Sequence, residues 1–214
     1  MATQSEGRYA GEFLLYEEPL ISRATLTIPS GTAAFGAGMV LGKTLASGSA
    51  TATAFSTNTG NGVMGTITVG AAAKVGVYAL VIVEPGTNVG SFIVTDPEGL
   101  VIGKGAVASA FDAGGLAFTL ADGATDFAAG DGFLITVSGT VKYVPYDDAL
   151  TTGANVARAI ALHACDASAA EASVVGITRF AAVKADALQW HADADDAAKA
   201  AAYASLAKLH IIAR

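Results

Sequence analysis

Three things are missing from this 214-residue chain: a run of Lys or Arg, a second cysteine, and an apolar stretch long enough to cross a bilayer. Without a basic cluster, and with a net charge of -7, there is no footprint for neutralising phosphates, which argues against a nucleic-acid partner. The lone Cys165 cannot close an intramolecular disulfide. The longest uncharged apolar stretch, VGVYALVIV at 75–83, is too short to span a membrane. The opening MATQSEGRYAGEF carries an early Glu and no apolar signal segment, so the expectation is a soluble protein made in a cytoplasm and not exported, with no membrane partner. Tryptophan is also scarce, at one residue, while 52% of the chain is hydrophobic. The apolar share comes mostly from Ala, Val, Leu and Ile, which predicts small-residue, β-rich cores in one or two domains.

What is present falls into pieces of different texture. Residues 1–15 run from polar to aromatic-apolar without a periodic partner nearby and read as an N-terminal arm. From 16 to 58, short alternating runs (RATLTI, GMVLGKTL, ATATAF) are separated by Gly, Ser and Thr, the pattern of strands and turns. Residues 60–139 alternate more strictly. Ile67 and Val69, Phe92 and Val94, Leu116, Phe118 and Leu120, and Phe133, Ile135 and Val137 each share one face of a strand. The turns between them (DPEG, ADG, GDG) predict a compact antiparallel sandwich or barrel. Seven acids against Lys74 and Lys104 give this block a net charge of -5. It reads as a domain inserted into a core made of 16–58 and 140–214. After it come KYVPY, ARAIALHAC and VVGITRFAAV, then a helix with Ala198, Ala202, Leu206 and Leu209 on one stripe, and IIAR as a terminal strand. The fold class is mainly β (α+β): a small β-rich core with one C-terminal helix, plus the inserted antiparallel β-domain.

The densest chemistry is WHADADD at 190–196. If a helix starts near Asp193, its carboxylate caps the free amide of residue 196, Asp195 and Asp196 sit at the positive end of the dipole, and Asp195 pairs with Lys199. A metal site would need His191 and two carboxylates converging without a second ligand cluster, so capping is the favoured reading and no metal or cofactor is expected. GNGVMG at 60–65 spells a dinucleotide fingerprint, but STNT precedes it and the strand MGTITV follows, so a flexible junction is expected instead. GKT at 42–44 lacks the first glycine of a phosphate loop. His163, Cys165 and Asp166 could place a thiol beside an imidazole, but nothing in sequence orients that imidazole, and a buried inert cysteine is favoured. The Gly and Asp turns at 112–131 lack the spacing of calcium loops. No catalytic residue is assigned.

The segments EFLLYEEPLISRATLTIPSGTAAFGAGMVLGKTL, YVPYDD, SVVGITRFAAVKADALQW and AAKAAAYASLAKLHIIAR together resemble the lambda-type bacteriophage head decoration proteins. Trp190, read as a structural anchor before the Ala-rich helix, and the hydrophobic-Arg tail carry the resemblance best. Residues 60–139 resemble a β-domain inserted in some phage members. Members often carry Gly where this chain has His210, just past the helix, a position suited to a left-handed stop. The resemblance implies a cement protein on the outside of the expanded head, bound to the major capsid protein as a homotrimer at three-fold and quasi-three-fold positions, bracing the shell against packaged DNA. The expected capsid-binding residues are Arg8, Tyr9, Phe13, Leu14 and Leu15, apolar or basic positions of an arm that adds a strand to the shell. The inserted domain is expected to project outward. A virion-surface adhesin using residues 60–139 to bind a host glycan is the alternative, and a small β-rich hydrolase is the third reading.

Overall fold

A computed structural model describes residues 9–214; Arg8 and the residues before it lie outside the described residues. The described chain begins with β1 (Leu14–Glu17), β2 (Arg23–Ile28) and β3 (Thr32–Phe35), then enters the long β4 (Val40–Ala54). It continues through β5 (Val63–Met64), β6 (Thr68–Val69), β7 (Gly76–Gly86), β8 (Val89–Thr95), β9 (Val101–Ala106), β10 (Ala110–Ala113) and β11 (Leu116–Ala121). A second long strand, β12 (Gly132–Pro145), leads to β13 (Ala157–Ala161), β14 (Cys165–Ala167), β15 (Ala172–Ile177) and β16 (Ala181–Val183). Helix α1 (Asp196–Ala207) and β17 (Ile211–Ala213) follow. The protein is mainly β with a C-terminal helix. It divides into two compact units, one made of residues up to Thr44 with Val141–Arg214, the other of Leu45–Thr140.

In the first unit, β2, β15, β13 and β4 lie side by side, each pair antiparallel. Period-two alternation sends neighbours to opposite faces, and both faces are covered. Val40, Ile160 and Ile177 join Phe13, Tyr146, Leu188, Leu206 and Ile211 in one apolar cluster, which holds the buried stripe Ala198, Ala202 and Leu206 of α1. On the other face Leu41, Ala159 and Ala161 join Leu26, Phe35 and Cys165 under the β14–β3 ribbon. A separate three-stranded sheet, β1-β16-β17, pairs β1 antiparallel and β17 parallel with β16.

The stripe on α1 is shorter than the spacing predicts. The helix ends at Ala207 and Leu209 falls beyond it, because the amide of Leu209 turns back to the Leu206 carbonyl and that of His210 to the Ala207 carbonyl. His210 then takes a left-handed conformation at φ 59, and the chain enters β17.

In the second unit, β12, β7, β8 and β9 form an antiparallel sheet, and β10, β11 and β5 form another, with β6 also on β11. Of the inward rows predicted from alternation, Phe92 and Val94, Leu116, Phe118 and Leu120, and Phe133, Ile135 and Val137 are buried, whereas Ile67 and Val69 are only half-buried. Phe92 of β8 meets Phe111 of β10 and Phe118 of β11 at ring separations of 5.8 Å and 6.1 Å, so the two sheets pack through these rings.

The NTGNG segment differs from the flexible junction expected. The Asn58 side chain bonds both the amide and the carbonyl of Gly132, the Thr59 and Gly60 amides donate to Asp131, and Asn61 Oδ1 accepts from the Thr125 amide. The glycines are there because Phe127 lies against them: a Cβ at Gly60 or Gly62 would come within 2.6 Å or 2.5 Å of its ring. A glycine pattern that reads as loose in sequence serves close packing.

Candidate docking face

The chemistry-bearing motifs do not form a site. Cys165 is buried, and burial pushes its thiol up from the usual value, with Asp166 adding to the effect. His163 is exposed. Among the described residues no cluster of three or more His, Cys, Asp or Glu is placed to hold a metal ion, and no helix is long and apolar enough to cross a membrane. In the second unit a cleft of about 480 Å³ is lined by Ala50, Ala52, Ala54, Val63, Ile67 and Phe133 and carries no titratable side chain.

The WHADADD acids work as a helix start, two residues later than expected. The cap is Asp195, not Asp193: its Oδ1 accepts from the Ala198 amide at 2.8 Å, and Asp195 itself is extended at φ -82, ψ -179. Asp193 is exposed, 3.8 Å from His191 Nδ1. Asp195 is engaged as the cap, so the contact to Lys199 comes from Asp196 in the first turn, at 3.6 Å. Trp190 is half-buried and meets Tyr146 and Tyr203 edge-on at 6.2 Å and 5.4 Å.

The arm residues separate by position. Phe13 is 1% exposed and sits in the core with Leu206 and Ile211, so its assignment to a free capsid-binding arm is corrected. It lacks a local partner in sequence because the residues it packs with, such as Val40, Leu206 and Ile211, come from distant parts of the chain. Leu14 is half-buried at the start of β1, where it pairs with Val183. Tyr9 and Leu15 are exposed, and Arg8 lies outside the described residues.

A different surface gathers exposed apolar side chains. In the β1-β16-β17 sheet, Tyr16, Ala182 and Ile212 stand in one row. Tyr16 is 58% exposed and Ile212 43%, while Ala181 and Ile211, one position back, are buried. Beside them Phe180 and His210 stack at 4.9 Å with planes 6° apart. These residues line a cleft of about 280 Å³, rimmed by Glu18 and Arg214. The turn from Glu18 to Ser22 adjoins it: the Glu18 amide and the Ser22 hydroxyl both donate to the Phe180 carbonyl. Ser22 is fully buried, its amide returns to the Glu18 carbonyl, and its hydroxyl oxygen accepts from the Glu18 amide. On this fixed turn Leu20 is wholly exposed.

Backbone strain marks the same place. Leu20, Phe180 and His210 all have positive φ, at 72°, 47° and 59°. Each non-glycine residue in that region costs on the order of 1 kcal/mol, and such outliers concentrate where a surface is used. The acids at the rim are engaged. Glu17 is held below the usual carboxylate range by hydrogen bonds from Arg23, and Tyr16 is raised because its hydroxyl donates to Glu18 at 2.8 Å. Sequence reasoning missed Tyr16, Leu20, Phe180 and Ile212. Only Pro19-Leu20-Ile21, apolar residues placed in a turn, and the non-glycine His210 signal the face locally.

An exposed apolar patch of this kind is a common mark of an interaction surface. The chain belongs to the bacteriophage lambda head decoration protein D family, which it matches over residues 3–211. That membership gives it a capsid decoration role and a place on the virion capsid. No curated protein matches it. Two crystal structures of FlgL from Xanthomonas campestris share 21% and 19% identity over 49% and 51% of this chain, with TM-scores of 0.35 and 0.34. The chain spans about a third of that protein's length, 33% and 34%.

Proposed function

We propose that this protein is a structural cement, made in the host cytoplasm, that binds the major capsid protein on the outer surface of the expanded head. It acts there as trimers at three-fold and quasi-three-fold positions and stabilises the shell against internal DNA pressure. The observation that carries the reading is the family match, which extends over residues 3–211 and so takes in both units. The physical logic is linkage: a protein that binds only the expanded lattice shifts the equilibrium toward it. Exposed Tyr9 and Leu15 contribute to the shell contact, with Phe13 fastening that segment to the core. The Leu45–Thr140 unit is an insertion that projects outward, its charge keeping a crowded surface soluble.

The adhesin alternative finds less support. Glycan recognition favours exposed rings, whereas Tyr78, Phe92, Phe111, Phe118, Phe127 and Phe133 of that unit are all buried. The test is to mix purified protein with expanded and unexpanded empty heads and count bound copies by cryo-electron microscopy. Density at three-fold positions of expanded heads alone is expected; equal decoration of both, or none, overturns the reading.

A further inference from the structure

The docking face and one loop of the same unit are chemically complementary. The face is apolar, its acids are engaged by Tyr16 and Arg23, and Arg214 at its rim has no ion-pair partner among the described residues. The loop Asp147–Leu150 offers what the face lacks. Leu150, 43% exposed, stands next to exposed Asp148 and Ala149. The loop is held in shape: Asp147 Oδ1 accepts from the Ala149 amide at 3.0 Å, the Asp147 carbonyl accepts from the Leu150 amide, and the Asp147 amide donates to the Ala154 carbonyl. Its root is fixed by Tyr146, which is 1% exposed and donates its hydroxyl to the Ala198 carbonyl at 3.0 Å. No hydrogen bond or ion pair joins this loop to the face within the chain, among the described residues.

We propose that a second copy of this chain seats its Asp147–Leu150 loop on the Tyr16, Phe180 and Ile212 face, with Leu150 entering the cleft and Asp148 meeting Arg214. Charge complementarity selects this occupant: the loop brings a leucine and an acid to an apolar cleft whose rim carries the Arg214 guanidinium, which has no ion-pair partner among the described residues. Face and loop are different surfaces of one unit, so the contact is head-to-tail, and repeating it closes a ring when the rotation allows. The inference rests on the decoration reading, since the shell is what gathers the copies and raises their effective concentration. The strained Leu20, Phe180 and His210 then hold the receiving surface rigid before contact, which lowers the cost of association.

The experiment uses two variants with one added cysteine each, Leu150→Cys and Ile212→Cys, in the full chain with Cys165 retained because it is buried. Both are bound together to expanded heads, oxidised mildly, and run on a non-reducing gel, with bound copies counted separately. A disulfide-linked pair that forms in the mixture and in neither variant alone is the expected result. A link formed by Ile212→Cys alone, or full occupancy without the mixed link, overturns this inference and leaves the decoration reading standing. Absence of the unmodified protein from the heads overturns both. A second arm avoids cysteine: Arg214→Glu weakens association between copies about tenfold, and adding Asp148→Arg restores it. If the double variant associates no better than Arg214→Glu, the pairing of loop and face is wrong.

Discussion

The two units dispose of their aromatic side chains and their strain in different ways. In the Leu45–Thr140 unit six of the aromatic rings are buried, and the non-glycine residues with positive φ, Asn88 and Ala108, sit in tight turns between strands. In the other unit Tyr16 and Phe180 stand exposed, and Leu20, Phe180 and His210 spend their strain on one apolar face. Strain in the first case follows from connecting strands. In the second the three residues also sit in connections, Leu20 between β1 and β2, Phe180 between β15 and β16 and His210 at the stop of α1, but they converge on one exposed apolar face, which is why the face, and not the aromatic-rich unit, is the better candidate for contact. The acids follow the same division of labour. The second unit carries most of the negative charge, yet its buried carboxylates, Asp96 and Asp131, are fastened to its own backbone.

The largest expected effect tests whether the buried rings are structural. Phe92→Ala removes a ring packed against Phe111 and Phe118 and should cost about 3–5 kcal/mol in urea unfolding. Phe180→Ala, at an exposed position, should move stability by less than about 0.5 kcal/mol while lowering head occupancy. A large stability loss at Phe180 with unchanged occupancy would make the face an extension of the core.

The next effect concerns Asp131, whose carboxylate accepts from the amides of Thr59, Gly60 and Ala128. Burial alone raises its pKa, but the Gly60, Ala128 and Thr59 amides outweigh burial and hold it below the usual value. Asp96 is lowered in the same manner, burial being outweighed by Lys74 and by the Leu100 and Glu98 amides. A lowered folded pKa means the folded state binds fewer protons than the unfolded chain. This stability is therefore present above the unfolded value of about 3.9 and is lost as pH falls through the folded pKa. Asp131→Ala leaves three amides without that acceptor and should cost about 2–3 kcal/mol at pH 7. Unfolding followed from pH 7 to pH 2 should show a smaller acid loss in the variant than in the parent; identical slopes would remove Asp131 from the acid response.

How much of this was readable in sequence depends on the range of the interaction. Leu116, Phe118 and Leu120 announce their strand because period two is written into adjacent positions. The helix start was legible as a cluster of acids, but Asp193 and Asp195 offer the same local chemistry, and the choice falls to the register at which Ala198, Ala202 and Leu206 reach the core. Phe13 read as a free arm because its partners lie far along the chain. The docking face was illegible for the same reason: Tyr16 and Ile212 come into one row only through β16, and no local pattern encodes that pairing. The cap gives a graded check, since Asp195→Ala should cost about 1 kcal/mol and Asp193→Ala almost nothing in thermal unfolding. Equal losses would return the cap to the region as a whole.

The smallest predicted effect has the opposite sign and separates the two kinds of strain most sharply. Leu20 holds φ 72 with its side chain wholly exposed, so replacing it with glycine forfeits no packing. Leaving the left-handed penalty behind returns on the order of 1 kcal/mol, and the greater freedom of unfolded glycine takes back about half of that. Leu20→Gly should therefore be more stable by about 0.5 kcal/mol, a rise in Tm of about 1–2 °C for a chain of this size. Occupancy on expanded heads should fall, because the leucine is retained for contact and not for folding. Asn88→Gly, at a turn of the other unit, should give a comparable stability change with occupancy intact. If Leu20→Gly destabilises the protein, or if both variants bind heads as the parent does, strain on the face is ordinary turn geometry and the contrast between the units disappears.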